Sequence, residues 1–234
     1  MVTNVCTQAI VECTSEGLAQ NRHLGIKFQA ALFTNLSPAH IDNHGSFENY
    51  RAAKGKLFES IEQTANSFIG VNLDDPNKNY FLQFNAEKKF GVSAREDLEI
   101  PNGLTSYVAE SIKVDNQITF KVKGVGFNLH LIGTFNVTNA TLAVAAANYL
   151  GVSFESAAEA LSNIGSVPGR MEIFNLLNGS KVVVDYAPEP AAMRASLQAV
   201  NLLSHGKIIH VFGSTGGHRD VAKRFTFGEI SAQF

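Results

Sequence analysis

The chain has 234 residues, of which 45% are hydrophobic and 17% are charged, and this balance is typical of a globular protein with a sizeable core. A formal net charge of −2 provides no general basic surface for nucleic acid, and the most apolar stretch, residues 141–150, is too short to span a bilayer. Cys6 and Cys13 do not form a disulfide framework, and the N-terminus has no signal-peptide pattern. We therefore expect a cytoplasmic protein with no membrane or nucleic-acid partner.

Two short apolar runs near the N-terminus, residues 9–11 and 30–36, are typical of buried strands. The next predicted element is a helix over residues 47–61, with Ser46 as its N-cap. Lys54 falls on the apolar face of that helix, where burial of a bare ammonium would be costly. Two interpretations stay open: a lysine that snorkels to solvent, and a functional lysine whose charge is paired, neutralised or modified.

The middle of the chain, residues 66–132, alternates short apolar stretches with turn-forming residues, which indicates strands joined by hairpins and partly antiparallel. The predicted strands are 67–71, 80–84, 118–122 and 127–132, and a tight hairpin turn is predicted at residues 122–126. An alanine-rich helix over 139–150 is predicted to end at Gly151, and another helix is predicted over 154–164 with Ser153 as its N-cap.

A stretch that contains glycine and proline, residues 165–169, is predicted to link two domains. We place the boundary between residues 167 and 168, which gives domains over 1–167 and 168–234.

The second domain is predicted to begin with a hairpin whose type I′ turn lies at Asn178 and Gly179. Pro190 suits the first turn of a helix that runs to about residue 203. The apolar run 207–213 then predicts a buried strand, so this part of the chain is expected to form a right-handed parallel βαβ unit.

Several polar residues are placed where α/β proteins bind ligands. Glu12 and His40 follow the two predicted N-terminal strands, and their oxygen and nitrogen donors suit Mg²⁺ or Mn²⁺. Asn139 alone would usually be a helix cap, although together with Asn136 it could present amides to a purine edge. The glycine-rich loop 213–217 could bind an anion or be a flexible βα loop, and it does not match the G-x-G-x-x-G dinucleotide motif.

Six segments, in this order and with near-family spacing, resemble the Mur ligase family, most closely its UDP-N-acetylmuramoyl-tripeptide synthetase branch. The segments are ECTSEGLAQNR (12–22), FTNLSPAHIDNHGSFENYRAAKGKLF (33–58), GTFNVTNATLAVAA (133–146), GRMEIF (169–174), VVVDYAPEP (182–190) and VFGSTGGHRDVAKR (211–224). The resemblance implies an α/β fold. This fold has two domains. The central domain is incomplete and contains a parallel sheet with an added small, partly antiparallel sheet, and the C-terminal domain is a partial Rossmann-like domain.

The resemblance also implies an ATP-dependent ligase that adds an amino acid to a UDP-N-acetylmuramoyl peptide in peptidoglycan precursor synthesis. In this chemistry ATP phosphorylates the substrate carboxylate, and the amine of the amino acid attacks the acyl phosphate. ATP and Mg²⁺ are the implied cofactors, and the full-length protein is expected to be a monomer.

The residue roles that the resemblance implies fall into three groups. Glu12, His40 and a carbamylated Lys54 resemble the catalytic and Mg²⁺-binding residues. Asn139, Arg170 and Asp185 resemble the family's nucleotide contacts. Thr14, Gln20 and Arg22 resemble its contacts to the UDP-muramyl substrate, and Arg219 resembles its contact to the incoming amino acid.

The chain also departs from the family pattern. It contains no G-x-x-x-x-G-K-[ST] motif, and Pro188 stands where the family has a histidine. We therefore expect a fragment that lacks the N-terminal domain, the P-loop and the C-terminal end, and that has no ligase activity alone. The alternatives are a catalytically dead binding module that kept the ligase scaffold and, from the 213–217 loop alone, a dinucleotide-binding protein. An in-frame P-loop segment encoded upstream of Met1 would favour the fragment.

Overall fold

The computed structural model describes residues 6–38, 41–115, 117–204, 206–213 and 223–234. In chain order, the helices and strands are α1 (Ser15–Ala19), β1 (Ala30–Phe33), α2 (Ile41–His44), α3 (Phe47–Glu59), β2 (Phe68–Asn72), α4 (Lys78–Leu82), β3 (Lys88–Ser93), β4 (Thr105–Val108), β5 (Glu110–Val114), β6 (Ile118–Val122), β7 (Val125–Leu129), α5 (Phe135–Tyr149), α6 (Phe154–Ser162), β8 (Glu172–Asn175), β9 (Lys181–Val184), α7 (Pro190–Leu203) and α8 (Lys223–Ser231). Among these elements, no helix is long and apolar enough to cross a membrane.

A four-stranded parallel sheet in the order β1-β2-β3-β4 separates two hydrophobic cores. Strand β2 is buried along its whole length, as expected for a central parallel strand with helices on both faces. Its side chains alternate between the cores: Phe68 packs in the core that contains α5, whereas Ile69 and Val71 pack in the core that contains α3 and α4. The sheet therefore fixes α3 and α5 on opposite faces.

A three-stranded antiparallel sheet, β5-β6-β7, extends the core around α5 and α6. Its inward residues alternate along β6, where Ile118, Phe120 and Val122 are buried. The predicted hairpin at residues 122–126 is present, with Val122 opposite Val125. The combination of one parallel sheet and an added antiparallel sheet confirms the predicted α/β class.

Two predictions in this half are wrong. Residues 80–82 lie in helix α4 and residues 83–84 follow its end, so no strand forms here; Phe81 and Phe84 at helical spacing both pack on Phe58 of α3, with ring centroids 4.9 and 5.8 Å away. Residues 9–11 form no strand and are exposed, Ile10 completely. A strand requires a partner, and β1 pairs with β2 alone among the described strands. Glu12 therefore does not follow a buried strand.

The C-terminal part contains the two-stranded antiparallel sheet β8-β9 and helices α7 and α8. As predicted, α7 begins at Pro190. The helices pack through Met193 and Leu197 of α7 and through Phe227 and Ile230 of α8.

The hairpin turn between β8 and β9 differs from the prediction. Gly179 has a φ of 83°, whereas Asn178 does not have a positive φ. The Gly179 N–H donates to the Leu176 carbonyl at 3.0 Å, and the Leu176 N–H donates to the Ser180 carbonyl at 2.8 Å. This pattern is a type I turn followed by a left-handed glycine and not type I′, which needs a positive φ at both central residues.

The strand predicted over 207–213 is also absent, since these residues form no ladder and Ile209 and Val211 are 88% and 89% exposed. Because β9 pairs with β8 and no other described strand, the expected parallel βαβ unit is not formed among the described residues.

Candidate functional site: a cleft between the central sheet and the C-terminal segment

A cleft of about 700 Å³ lies between the carboxyl ends of β1 and β2, the start of α5, and the segment from residue 167 to residue 196. Ligands of α/β proteins bind at this edge of the sheet. One wall consists of the loop after β1 (Thr34, Asn35, Leu36 and Ser37), and the opposite wall consists of the segment around Asp185 and the first turns of α7.

Asn139 faces this cleft from the first half of α5, together with Asn136 and the partly exposed Phe135. The Asn136 amide donates to the Ile132 carbonyl at 2.8 Å, and Asn139 Nδ2 donates to Asn136 Oδ1 at 3.3 Å. Neither Asn136 nor Asn139 caps α5, whose N-cap is Thr134. An aromatic ring beside exposed amides can stack on and hydrogen-bond a planar heterocycle.

Arg170 and Asp185 face the cleft from the opposite side. The Arg170 guanidinium lies 5.1 Å from the centre of the Tyr186 ring, a cation–π contact. Asp185 Oδ1 accepts the Met171 N–H at 3.3 Å, and Asp185 Oδ2 accepts a short hydrogen bond from Ser196 Oγ. The structure thus brings three predicted nucleotide contacts around one cavity, while their roles stay predictions.

The backbone of this wall is strained. Met171 and Ala187 have φ values of 50° and 22°, which side-chain-bearing residues rarely adopt. Each such residue costs of the order of 1 kcal/mol or more, and strain of this kind is often found in ligand clamps. The Asp185 bond to the Met171 N–H helps to hold one of these two conformations.

Lys54 is half-buried on α3, with its ammonium 5.9 Å from the centre of the Tyr50 ring. Burial lowers the pKa of Lys54, while the neighbouring Glu12 and Cys13 side chains act in the opposite direction. Within the described residues Lys54 makes no ion pair. Glu12 and Lys54 therefore lie near each other, and neither lines the cleft, so the roles of both stay predictions.

Tyr50 connects this lysine with the C-terminal part. Burial raises the pKa of Tyr50, and the Glu189 carboxylate raises it further while Lys223 opposes the increase. Glu189 and Lys223 form an ion pair of 2.7 Å with 18% of each side chain exposed. Glu189 also lines the cleft, whereas Tyr50 does not; Tyr50 lies near Glu189 and one helical turn from Lys54.

The remaining predicted site residues lie elsewhere. Thr14 is the N-cap of α1, where its Oγ1 accepts the Gly17 N–H at 3.1 Å, and Gln20 is the C-cap of the same helix. Both are exposed, as is Arg22, and none of the three lines the cleft. His40 and Arg219 lie outside the described residues.

Comparison with known families assigns both parts of the chain. Residues 1–147 match the profile of the Mur ligase middle domain, and residues 169–234 match that of the Mur ligase glutamate ligase domain. The chain belongs to the Mur ligase family. The position of the boundary between residues 167 and 168 stays a prediction.

Among similar Mur ligases, the UDP-N-acetylmuramoyl-L-alanyl-D-glutamate–2,6-diaminopimelate ligase of Gloeobacter violaceus is 35% identical over 237 residues, covering 100% of this chain and 47% of that protein. The UDP-N-acetylmuramyl-tripeptide synthetase of a Roseiflexus species is 35% identical over 248 residues, covering 98% and 47%. A solved UDP-N-acetylmuramoyl-L-alanyl-D-glutamate–2,6-diaminopimelate ligase has a TM-score of 0.65 at 25% identity and covers 94% of this chain and 45% of that one. The chain spans about half the length of the curated Mur ligases that it matches.

The donor set near Lys54 tests whether a magnesium ion fits this Mur ligase chain. No group of three His, Cys, Asp or Glu side chains in the described ranges is arranged to hold a metal ion. Glu12 is one oxygen donor, and the Lys54 amine would become a second only after carbamylation. The described residues therefore do not fit a magnesium ion by themselves, and no step below depends on one.

Sequence reasoning missed three polar residues at the end of β2. Asn72, Asp74 and Asp75 hydrogen-bond the segments that follow β1 and β3, and Asn72 and Asp75 also line the cleft. Their signal is the same as that of the predicted metal ligands: polar side chains directly after a buried strand.

Proposed function

We propose that this chain carries the nucleotide-binding part of an ATP-dependent amide ligase that adds an amino acid to a UDP-N-acetylmuramoyl peptide in peptidoglycan precursor synthesis. The observation that carries the proposal is the cleft between the two family-matched parts, which is lined by Asn139, Arg170 and Asp185. The names of the similar Mur ligases support the substrate class.

The cleft suits a purine nucleotide in size and chemistry. Phe135 offers a ring face, and the Asn139 amide can both donate to and accept from a purine edge. Arg170 is held over Tyr186 and can reach phosphate oxygens as a forked donor. Asp185 keeps free lone pairs beyond its two internal bonds and can accept a hydrogen bond from a ribose hydroxyl.

The reaction proposed for the whole protein has two steps. An oxygen of the substrate carboxylate attacks the γ-phosphorus of ATP, and an acyl phosphate and ADP are formed. The amine of the amino acid then attacks the acyl carbon, inorganic phosphate leaves, and the amine loses a proton. In this scheme the chain's residues hold and orient the nucleotide, and Arg219 is proposed to bind the carboxylate of the incoming amino acid.

Lys54 is proposed to act as its carbamate. Its place in a half-buried site without an ion pair among the described residues supports a modified lysine over a snorkelling one. In carbamylation the deprotonated Lys54 amine adds to the carbon of CO2 and loses a proton, and this would replace a partly buried cation by an anion with two oxygen donors. The magnesium site implied by the resemblance would need His40, which lies outside the described residues, in addition to Glu12 and that carbamate.

Binding of ADP to this chain tests the nucleotide cleft. We expect saturable binding by calorimetry, weakened at least fivefold by Asn139→Ala. Asn148→Ala is the matched control, since Asn148 lies on the same helix, bonds the Val152 carbonyl and does not line the cleft. Equal effects of the two substitutions would remove the adenine role of Asn139.

A chimaera tests the ligase itself. Residues 1–234 would replace the matching part of the Gloeobacter violaceus ligase, and mass spectrometry would follow product formation from ATP, the UDP-muramyl peptide and diaminopimelate. We expect product from the chimaera and at least a hundredfold loss with Lys54→Ala. Lys56→Ala is the control and should keep activity, because the Lys56 ammonium makes an exposed hydrogen bond to Asn21 Oδ1. A folded chimaera that binds ADP but forms no product would argue for a binding module.

A further inference from the structure

The last residue of β2 and the segment that follows it hold one wall of the cleft through three backbone groups. Asn72 Nδ2 donates to the Thr34 carbonyl at 2.7 Å. Asp75 Oδ2 accepts the Leu36 N–H at 2.8 Å, and Asn77 Nδ2 donates to the Leu36 carbonyl at 3.3 Å. Both backbone polar groups of Leu36 are therefore bound by side chains, in a stretch of chain that belongs to no strand.

Asp75 is the centre of this arrangement. It is 8% exposed, and its second oxygen, Oδ1, accepts the Asn77 N–H at 2.7 Å and Asn77 Nδ2 at 3.1 Å. A buried carboxylate that accepts three hydrogen bonds has a single preferred orientation, since each lost bond would leave a polar group unsatisfied. The clamp made by Asp75 and Asn77 is therefore a rigid support for Leu36.

The clamp also reaches the helix that carries Lys54. Arg51 Nη1 on α3 donates to Asn77 Oδ1 at 3.5 Å, and its guanidinium stacks 4.7 Å from the centre of the Tyr80 ring. Asn77 thus contacts the wall of the cleft on one side and α3 on the other.

The wall that the clamp holds offers polar groups to a ligand. Thr34, Asn35 and Ser37 all line the cleft, and within the part of the chain that the structure describes their side chains make no hydrogen bond. A ligand gains most from such groups when they are already fixed in position, because less conformational entropy is lost on binding.

We infer that Asp75 is a positioning residue: with Asn77 it fixes the Thr34–Ser37 wall so that this wall can bind a nucleotide. The inference rests on the proposed function for the identity of the ligand, whereas the clamp itself does not. Asp75 needs no contact with the ligand in this role.

Asp74 provides a matched control at the adjacent position. Its carboxylate accepts hydrogen bonds from Ser93 Oγ, at 2.6 Å, and from the Ala94 N–H, at 2.8 Å. It thus braces the end of β3, not the loop after β1, and it does not line the cleft. Asp74→Ala and Asp75→Ala remove the same side chain from neighbouring positions, and they differ in which loop is released.

The experiment compares the full 234-residue chain with these two variants and with the gentler Asp75→Asn. Hydrogen–deuterium exchange reports on the Leu36 amide, and calorimetry reports on ADP affinity. With Asp75→Ala we expect at least tenfold faster exchange at Leu36 and at least tenfold weaker ADP binding. With Asp74→Ala both quantities should stay within twofold of the parent chain, and Asp75→Asn should be intermediate.

The outcomes separate the inference from the proposed function. Equal changes in exchange and affinity for Asp74→Ala and Asp75→Ala would overturn the positioning role. If the parent chain does not bind ADP, the proposed nucleotide cleft fails, and the exchange of Leu36 still decides the clamp. If Asp75→Ala does not fold, Asp75→Asn takes its place, and unchanged exchange of the Leu36 amide in that variant would also overturn the positioning role of Asp75.

Discussion

Replacement of Gly91 by alanine should destabilise the sheet that supports the cleft. Gly91 lies in β3, and a Cβ added there would be 2.4 Å from Leu73 Cδ1, 2.6 Å from its Cγ and 2.8 Å from its Cδ2. Carbon atoms in contact are normally about 3.5–4.0 Å apart. Leu73 is only 1% exposed, so its side chain has no free space to move into.

The expected cost follows from this overlap. Overpacking of a dense core costs roughly 1–3 kcal/mol, and three atoms of a buried side chain that lie about 0.7–1.1 Å inside the 3.5 Å contact distance place Gly91→Ala near 3 kcal/mol. For a chain of this size, about 2–4 °C is lost per kcal/mol, which corresponds to a decrease in Tm of roughly 6–12 °C. Urea unfolding followed by circular dichroism measures the free energy, and a thermal scan measures Tm.

Gly126→Ala is the control, because Gly126 also lies in a strand and an added Cβ there would have nothing within 4 Å. Its effect should stay within about 1 kcal/mol of zero. Leu73→Ala should cost less in the Gly91→Ala background than alone, because it removes the three atoms that overlap. A Gly91→Ala chain as stable as Gly126→Ala would refute the packing argument.

Three further predictions concern other parts of the molecule. Burial raises the pKa of Tyr107 from 10 to about 12, so above pH 10 the unfolded chain loses a phenol proton that the folded chain keeps. The stability that Tyr107 contributes is therefore complete below pH 10 and is lost between pH 10 and 12. This loss, up to about 2 kcal/mol in urea unfolding, should be absent in Tyr107→Phe. Ser196→Ala should cost about 1 kcal/mol in the same assay, because Asp185 loses a hydrogen bond. Glu189→Gln should speed hydrogen exchange in α7 and α8, because it weakens the ion pair with Lys223, and 1 M salt should reduce the difference.

Each of these predictions has its own check. A parent chain whose stability is the same at pH 9.5 and pH 11.5 would contradict the argument for Tyr107. Ser162→Ala is the control for Ser196→Ala, since Ser162 Oγ donates only to the Glu159 carbonyl at the exposed end of α6. Exchange that is unchanged by Glu189→Gln, in low salt, would show that α7 and α8 are joined by their apolar contacts alone.

Features set by neighbouring residues could be predicted from the sequence. Ser46 and Ser153 cap α3 and α6 through bonds to backbone N–H groups three residues ahead, and Pro190 begins α7. Each depends on one turn of chain, so the residue type is sufficient.

Features that depend on distant partners could not be predicted. Residues 9–11 and 207–213 have apolar patterns typical of strands, but a strand forms only where another strand offers its hydrogen-bonding groups, and the pattern does not contain that information. Residues 80–84 show the opposite error, since a short apolar run fits a helix as well as a strand until its packing on Phe58 decides.

The candidate site divides in the same way. The phase of Lys54 on α3 predicted its half-buried position, and Glu12 lies near it although the strand that was expected to place Glu12 is absent. Asp75 was missed because an aspartate after a strand is usually solvated, and its burial follows from the Leu36 N–H, 39 residues earlier in the chain.

The acidic residues of the cleft explain how it can accept an anionic ligand. Asp75, Asp185 and Glu189 all line it, and three free carboxylates would repel phosphate groups. Each is instead engaged by a donor from the protein: Asp75 by backbone N–H groups, Asp185 by a hydroxyl and an N–H, and Glu189 by the Lys223 ammonium. These donors offset much of the negative potential, and in the proposed nucleotide-binding role the Arg170 guanidinium, which also lines the cleft, would then attract the ligand. Loss of any one of these donors should therefore weaken nucleotide binding even where the residue that supplies it never contacts the nucleotide.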